Sequence, residues 1–187
     1  LESKTLIAPE DTFRVTLGVK LQLEFDFLMQ EGALKMNAID ASVMRERVLN
    51  DVYSCVQKTT KESRIVLEKL RENYEMVLVS NFYGNIRTVL KEFGLDGFFK
   101  SIVESAEVGI RKPDPRIYEI GVQKLGFEPA EVAVVVGDSF QKDMMPAKQI
   151  GCCAVWLKGK AWKQETVDET MVNHVIYSLN ELLTLPF

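Results

Sequence analysis

The sequence is short of the residues most used for nucleophilic and metal chemistry near neutral pH: its 187 residues include 3 Cys and 1 His. The one imidazole, His174, lies in the segment Asn-His-Val-Ile-Tyr, away from every other reactive cluster, and reads as a packing or surface side chain. This scarcity argues against His-dependent triads, thiol catalysis and zinc sites. Cys55 stands alone, and Cys152 and Cys153 are adjacent on an expected strand, where neighbouring side chains point to opposite faces and are badly placed to bridge. All three read as free core thiols, which suggests a reducing cytosol. There is no basic excess either: Lys+Arg number 23 against 27 Asp+Glu, for a net charge of -4, and the signs are interspersed. That disfavours nucleic acid as a partner. No apolar run approaches the roughly 18 residues needed to span a membrane, and no charged-then-apolar leader opens the chain. The expectation is a cytoplasmic protein.

What is present is ordinary for a globular α/β chain, with 47% hydrophobic and 27% charged residues and no repeat or low-complexity tract. Residues 1–58 read as mostly helical. Val15, Val19, Leu23, Phe27 and Leu28 recur at helical spacing up to a break at Gly32, and a second amphipathic stretch carries Val43, Val48, Val52, Cys55 and Val56, with Asp40 or Ser42 as its expected cap. From Thr60 a charged amphipathic helix leads into the apolar run Met-Val-Leu-Val, and helices then alternate with buried strands, the signature of a parallel sheet. Strands are expected at Met76–Ser80, Ser101–Glu104, Val132–Gly137, Ala154–Leu157 and Val175–Tyr177. The helices between them are Asn85–Phe93, Pro115–Leu125 and Lys142–Ile150, each stopped by a glycine.

Three blocks sit where such strands end, the edge at which loops lead into helix N-termini and reactive groups gather. Ser80 follows Met-Val-Leu-Val directly, so its hydroxyl and the neighbouring N–H groups can meet a phosphoryl oxygen, with the Asn81 amide shaping the turn. Ser-Asn after a strand equally fits a turn that satisfies backbone donors. Lys112 lies in Arg-Lys-Pro-Asp-Pro, where two prolines stiffen the loop and present a compact ammonium to an anion; a solvated lysine is the plain alternative. Sharpest is Val-Ala-Val-Val-Val-Gly-Asp: Asp138 ends an apolar strand and Asp143 follows five residues later, two oxygen donors suited to a hard divalent cation. Asp143 could instead favour a helix dipole, and Ser139 could cap the same helix. Trp156 and Trp162 read as core and rim packing.

From about Glu75 to Leu157 the sequence resembles the haloacid dehalogenase-like (HAD) hydrolase superfamily, with its second motif at Ser80, its third at Lys112 and its fourth at Asp138 and Asp143. The specific part is the combination: strand-Ser-Asn, then SAEVGIRKPDPRIY, then VVGDSFQKD followed by AKQIGCCAVWL. The resemblance implies a Rossmann-like three-layer core with a parallel sheet and a small helical cap. It implies catalytic roles for Ser80 and Lys112, phosphate binding by Ser80, Asn81 and Lys112, and a Mg²⁺ ion held by Asp138 and Asp143. In this family an aspartate at the end of the first strand attacks the substrate phosphorus to form an aspartyl-phosphate, and a second aspartate two residues later serves as acid and base.

That first motif, Asp-x-Asp with Gly-Thr, does not occur in the 187 residues. Its nearest string, Phe25-Asp26-Phe27-Leu28, lacks the second aspartate and fits a helix. Residues 1–58 would then be a helical cap, partial or complete, and 59–187 the core, with a nucleophile-bearing first strand expected upstream of Leu1. Such a strand with its connection takes about 20 residues. Gly137-Asp138 favours a Mg²⁺-dependent phosphomonoesterase acting on a small phosphorylated metabolite over the metal-independent dehalogenase branch, although Asn81 after Ser80 is also seen in dehalogenase-like members. A sugar-phosphate mutase would keep the same motifs, and a non-catalytic relative would keep only the pocket. A two-component receiver domain is rejected by motif order, since its aspartates precede its hydroxyl and lysine.

Overall fold

A computed structural model describes residues 6–126, 133–159 and 167–186. The chain divides into two compact units, Leu1–Arg64 with Tyr83–Asp96, and Ile65–Phe82 with Gly97–Phe187.

The first unit is helical. Helix α1 (Phe13–Gln30) starts at Thr12, whose hydroxyl accepts from the Val15 N–H, and α2 runs unbroken from Ala38 to Leu70. The charged helix expected from Thr60 is not a separate element but the continuation of α2, because nothing between Ala38 and Leu70 is Gly or Pro. Thr60 and Ser63 remain helical by bonding back to the carbonyls of Val56 and Thr59, at 2.8 and 2.9 Å. The cap of α2 is Asn37 rather than Asp40 or Ser42: its Oδ1 accepts from the Asp40 N–H at 2.9 Å and its Nδ2 donates to the Asp40 carboxylate at 2.8 Å. The face of α1 also differs from expectation. Val15 and Phe27 are exposed, whereas Thr16 and Phe25 are buried. Apolar residues occupy nearly every second position from Val15 to Phe27, so they encircle α1 and do not define one stripe.

What turns Thr16 inward is the short helix α3 (Ile86–Glu92). Asn85, just before it and buried, donates to the Asp11 carbonyl at 2.8 Å and to the Thr16 hydroxyl at 2.7 Å. Phe93 closes an aromatic cluster with Phe13 and Tyr53 at centroid distances of 5.6 and 5.9 Å. The Tyr53 hydroxyl and the Phe13 N–H both donate to the Glu92 carboxylate. Asp26 lies exposed on α1, accepting from Gln22. Cys55 is exposed, so it is not the core thiol expected; Cys152 is buried and Cys153 half-buried, and all three are free.

The second unit is the α/β part, a Rossmann-like arrangement of parallel strands and helices. Strands β1 (Val77–Ser80) and β2 (Ser101–Glu104) pair in parallel, with Ser80 opposite Glu104. Strands β3 (Val134–Gly137), β4 (Cys153–Leu157) and β5 (His174–Ile176) form a second parallel sheet in that order. Five expected strands are thus present, Ser101–Glu104 with the expected bounds and the others shifted by one or two residues, although 132 lies outside the described residues. Helix α4 (Ser105–Val108) and helix α5 (Arg116–Leu125) follow β2, and α5 ends at Gly126 in the left-handed conformation, φ 83°. The helix expected at Lys142–Ile150 is instead a π-helical turn, Phe140–Met144, running into α6 (Met145–Gln149).

Helix α5 joins the two sheets. Ile117, Tyr118 and Val103 form a buried cluster against which Val77 and Val79 of β1 and Val135 of β3 pack. Each fully buried branched side chain there contributes roughly 1.5–3 kcal/mol. Gly121 lets α5 lie close to β1, since a Cβ there would fall 2.9 Å from Val79 Cγ2. Among the described residues, β1 and β3 are each paired on one edge only.

Candidate active site

Within each sheet the parallel strands deliver their C-terminal ends to one edge, Ser80 ending β1 of one sheet and Gly137-Asp138 following β3 of the other; the two ends are linked through Lys112, which bonds to both Asn81 and Asp143. His174 opens β5 and so lies at the opposite edge. Lys112 comes from the loop between α4 and α5. That loop is fastened by Asn81: its Oδ1 accepts from the Lys112 N–H at 2.8 Å and its Nδ2 donates to the Lys112 carbonyl at 3.0 Å. The residue after Ser80 therefore holds the main chain of Lys112, a use of its amide that the sequence did not suggest. Asp114 accepts from the Arg116 N–H at 3.0 Å and starts α5.

The Lys112 ammonium and the Asp143 carboxylate meet at 2.7 Å, Nζ to Oδ1, with side chains 17% and 3% exposed. The buried Tyr118 hydroxyl donates to the same Oδ1 at 2.6 Å, and the Ser139 N–H donates to Oδ2 at 2.9 Å. Burial works against charge on Asp143, but the bonds from Lys112 and Tyr118 outweigh it and hold the carboxyl below the usual carboxylate range. Burial pushes the Tyr118 pKa far up, and the charge of Asp143 and then of Asp138 adds to it, so the phenol remains a donor. Asp143 starts from a turn in which its N–H donates to the Ser139 carbonyl at 2.8 Å, while Ser139 Oγ caps the turn by accepting from the Lys142 N–H at 3.2 Å.

Gly137 makes room for this carboxylate. A Cβ at that position would stand 2.4 Å from Asp143 Cβ and 2.7 Å from its Oδ2. Asp138 is exposed, and its carbonyl accepts from Trp156 Nε1 at 3.0 Å. The Trp156 ring meets Phe140 edge-on at 5.4 Å and carries the Lys158 ammonium 5.3 Å above its centroid. Trp156 thus fixes the main chain at Asp138, where the sequence suggested packing alone; Trp162 lies outside the described residues.

The two aspartates occupy different environments. Oδ1 of Asp143 takes bonds from Lys112 and Tyr118 and Oδ2 takes one from the Ser139 N–H, whereas Asp138 is exposed just past the strand end. Among the described residues no three His, Cys, Asp or Glu side chains gather into an all-protein metal cage. Magnesium does not need one, as it keeps several waters and binds through one or two carboxylates plus substrate phosphate. Asp138 fits that pattern.

The sequence model described as haloacid dehalogenase-like hydrolase matches residues 7–157. The chain belongs to that family. It is 32% identical over 114 residues to the mouse haloacid dehalogenase-like hydrolase domain-containing protein 3, covering 60% of this chain and 45% of that protein. It is 36% identical over 97 residues to the glyceraldehyde 3-phosphate phosphatase of Methanocaldococcus jannaschii, covering 51% of this chain and 41% of that one. The chain therefore spans less than half the length of either relative. The crystal structure of a HAD phosphatase from Thermococcus onnurineus superposes with a TM-score of 0.62 over 90% of both chains at 23% identity, a likeness of fold. Among the described residues no helix is long and apolar enough to cross a membrane.

Proposed function

We propose that this chain carries the phosphate- and metal-binding part of a Mg²⁺-dependent phosphomonoesterase acting on a small phosphorylated metabolite. The observation that carries the reading is the buried Lys112–Asp143 pair, which links the strand ends that carry Ser80 and Asp138. A desolvated ammonium held rigid by a carboxylate is preorganised for an anion that gains charge as it reacts. Lys112 meets the phosphoryl oxygens, the Ser80 hydroxyl donates to another of them, and Asn81 keeps the Lys112 loop in register. Asp138 holds the metal, which when bound supplies charge neutralisation at the phosphoryl group. Asp143 serves Lys112 and reaches the metal at most through the remaining lone pair of Oδ2.

The nucleophilic carboxylate in this reading comes from a parallel strand between β1 and β3, carried by residues ahead of Leu1. The single-sided pairing of β1 and β3 under α5 supports it, because two unpaired parallel edges in one unit are costly unless another strand completes them. The phosphatase name of the Methanocaldococcus relative supports a phosphate ester as substrate. The test is hydrolysis of p-nitrophenyl phosphate by the native-length protein with and without Mg²⁺. Metal-dependent turnover abolished by Asp138→Asn, with the melting temperature kept, is expected; full activity in that variant would overturn the metal assignment.

A further inference from the structure

We infer that Tyr118 is a positioning residue for Lys112, acting through Asp143. The proposal rests on reading Lys112 as the phosphoryl-binding cation, and gives a role at that site to Tyr118, to which the sequence alone assigned none. Three hydrogen bonds fix the Asp143 carboxylate: Lys112 Nζ at 2.7 Å and Tyr118 Oη at 2.6 Å on Oδ1, and the Ser139 N–H at 2.9 Å on Oδ2. The Ser139 bond anchors one oxygen only. The two oxygens turn together about the Cβ–Cγ bond, a soft torsion, and one backbone N–H on Oδ2 is a single restraint on it. The Tyr118 hydroxyl adds a second restraint at the opposite oxygen, and with it sets where the ammonium that Oδ1 attracts comes to rest.

The ring alone does not account for a tyrosine here. It is buried with Ile117 and Val103 beside Val77, Val79 and Val135, surroundings that a phenylalanine would fill as well. Burying a hydroxyl costs free energy unless it is bonded, and this one is bonded to the carboxylate that holds Lys112. The chain also returns on itself: Lys112 leads into α5, and α5 brings Tyr118 back beneath the lysine, with Nζ 6.0 Å from the ring centroid. Loop, helix and turn are locked together by one oxygen atom.

The experiment is ¹H–¹⁵N spectroscopy of the lysine ammonium groups in the native-length protein, with the Lys112 signal assigned by Lys112→Arg. A slowly exchanging Lys112 ammonium is expected in the unsubstituted protein, together with a slowly exchanging Tyr118 hydroxyl proton. In Tyr118→Phe the ammonium signal should broaden beyond detection in a protein that is still folded, its melting temperature lower by about 3–12 °C for the one bond lost. In p-nitrophenyl phosphate hydrolysis, kcat should fall about ten- to a hundredfold, the worth of one hydrogen bond to a charged group. KM should hold, and adding Tyr118→Phe to Asp143→Asn should cost nothing further. An unchanged Lys112 signal in the variant overturns the proposal, as does the absence of either slow proton in the unsubstituted protein, whatever the variant's stability. A lost signal in a protein that hydrolyses no phosphate ester would leave the positioning intact and overturn the phosphatase reading instead.

Discussion

Replacing Gly137 by alanine puts one methyl group where Asp143 stands. The added Cβ would lie 2.4 Å from Asp143 Cβ, 2.6 Å from Cγ and 2.7 Å from Oδ2, against an ordinary carbon–carbon contact of about 3.5 Å, so something must move by roughly 1 Å. The atom in the way is a Cβ tied to the backbone of the Phe140–Met144 turn, not the far end of a flexible chain. Either the turn shifts, an overpacking cost of about 1–3 kcal/mol, or Asp143 is displaced and gives up hydrogen bonds that the charge of its carboxylate makes worth about 1.5–3 kcal/mol each. A total near 3 kcal/mol corresponds to a melting temperature lower by about 6–12 °C in a chain of this size. Calorimetry measures the stability, and p-nitrophenyl phosphate hydrolysis follows the consequence for Lys112, where a fall in kcat of at least tenfold is expected. A Gly137→Ala protein that melts within about 2 °C of its parent and turns over normally would refute the claim that glycine is there to admit Asp143.

Lys112→Ala should lower turnover by about 10²–10³, the usual worth of a preorganised charge partner, and unchanged turnover would make Lys112 a surface residue. It should also destabilise the fold by about 3–5 kcal/mol, since the buried Asp143 carboxylate loses its cation, and denaturant midpoints would show it. Because the folded-state pKa of Asp143 lies below its unfolded value near 4, its contribution is complete above that value and is lost as the pH falls through the folded-state pKa. Stability measured down the acid limb should therefore drop less steeply in Asp143→Asn than in the parent; parallel curves would contradict the assignment.

The sequence disclosed the strands because Val-Leu-Val-Ser and Val-Val-Val-Gly are runs rich in β-branched residues and too short for a helix, and the stopping glycines punctuate them; it did not disclose that Val134 and Val136 are exposed on β3. It disclosed less where periodicity was ambiguous. Helix α1 carries apolar residues all round, so spacing could not choose the buried face, and the long-range bond from Asn85 to Thr16 made the choice. A new helix was expected from Thr60 where the composition becomes more charged, yet composition does not end a helix when neither glycine nor proline is present, and α2 runs through. In the site, Lys112, Asp138 and Asp143 stood out by residue type, whereas Tyr118 and Trp156 were hidden because each occupies a position that looks like core. The available signal was small: a tyrosine among the apolar residues Ile117, Ile120 and Val122, and an indole two residues after buried Ala154 on the strand beside Asp138. Side-chain hydrogen bonds to such partners depend on which elements become neighbours, and local sequence does not carry that.

The alternation of the two units along the chain has a practical consequence. Residues up to Arg64 join with Tyr83–Asp96, and the intervening and following stretches make the other unit, so the chain passes from one to the other three times. Neither unit is a continuous segment that could be excised. A piece ending at Arg64 would lack Asn85, Glu92 and Phe93, leaving the Phe13 and Tyr53 rings and the Thr16 hydroxyl without the partners that order them. A piece beginning at Ile65 would carry α3 with nothing to pack against. Domain swapping between relatives would have to exchange two segments at once, and an insertion in the exposed turn at 31–37, between α1 and α2, would extend the helical unit without separating it from α3.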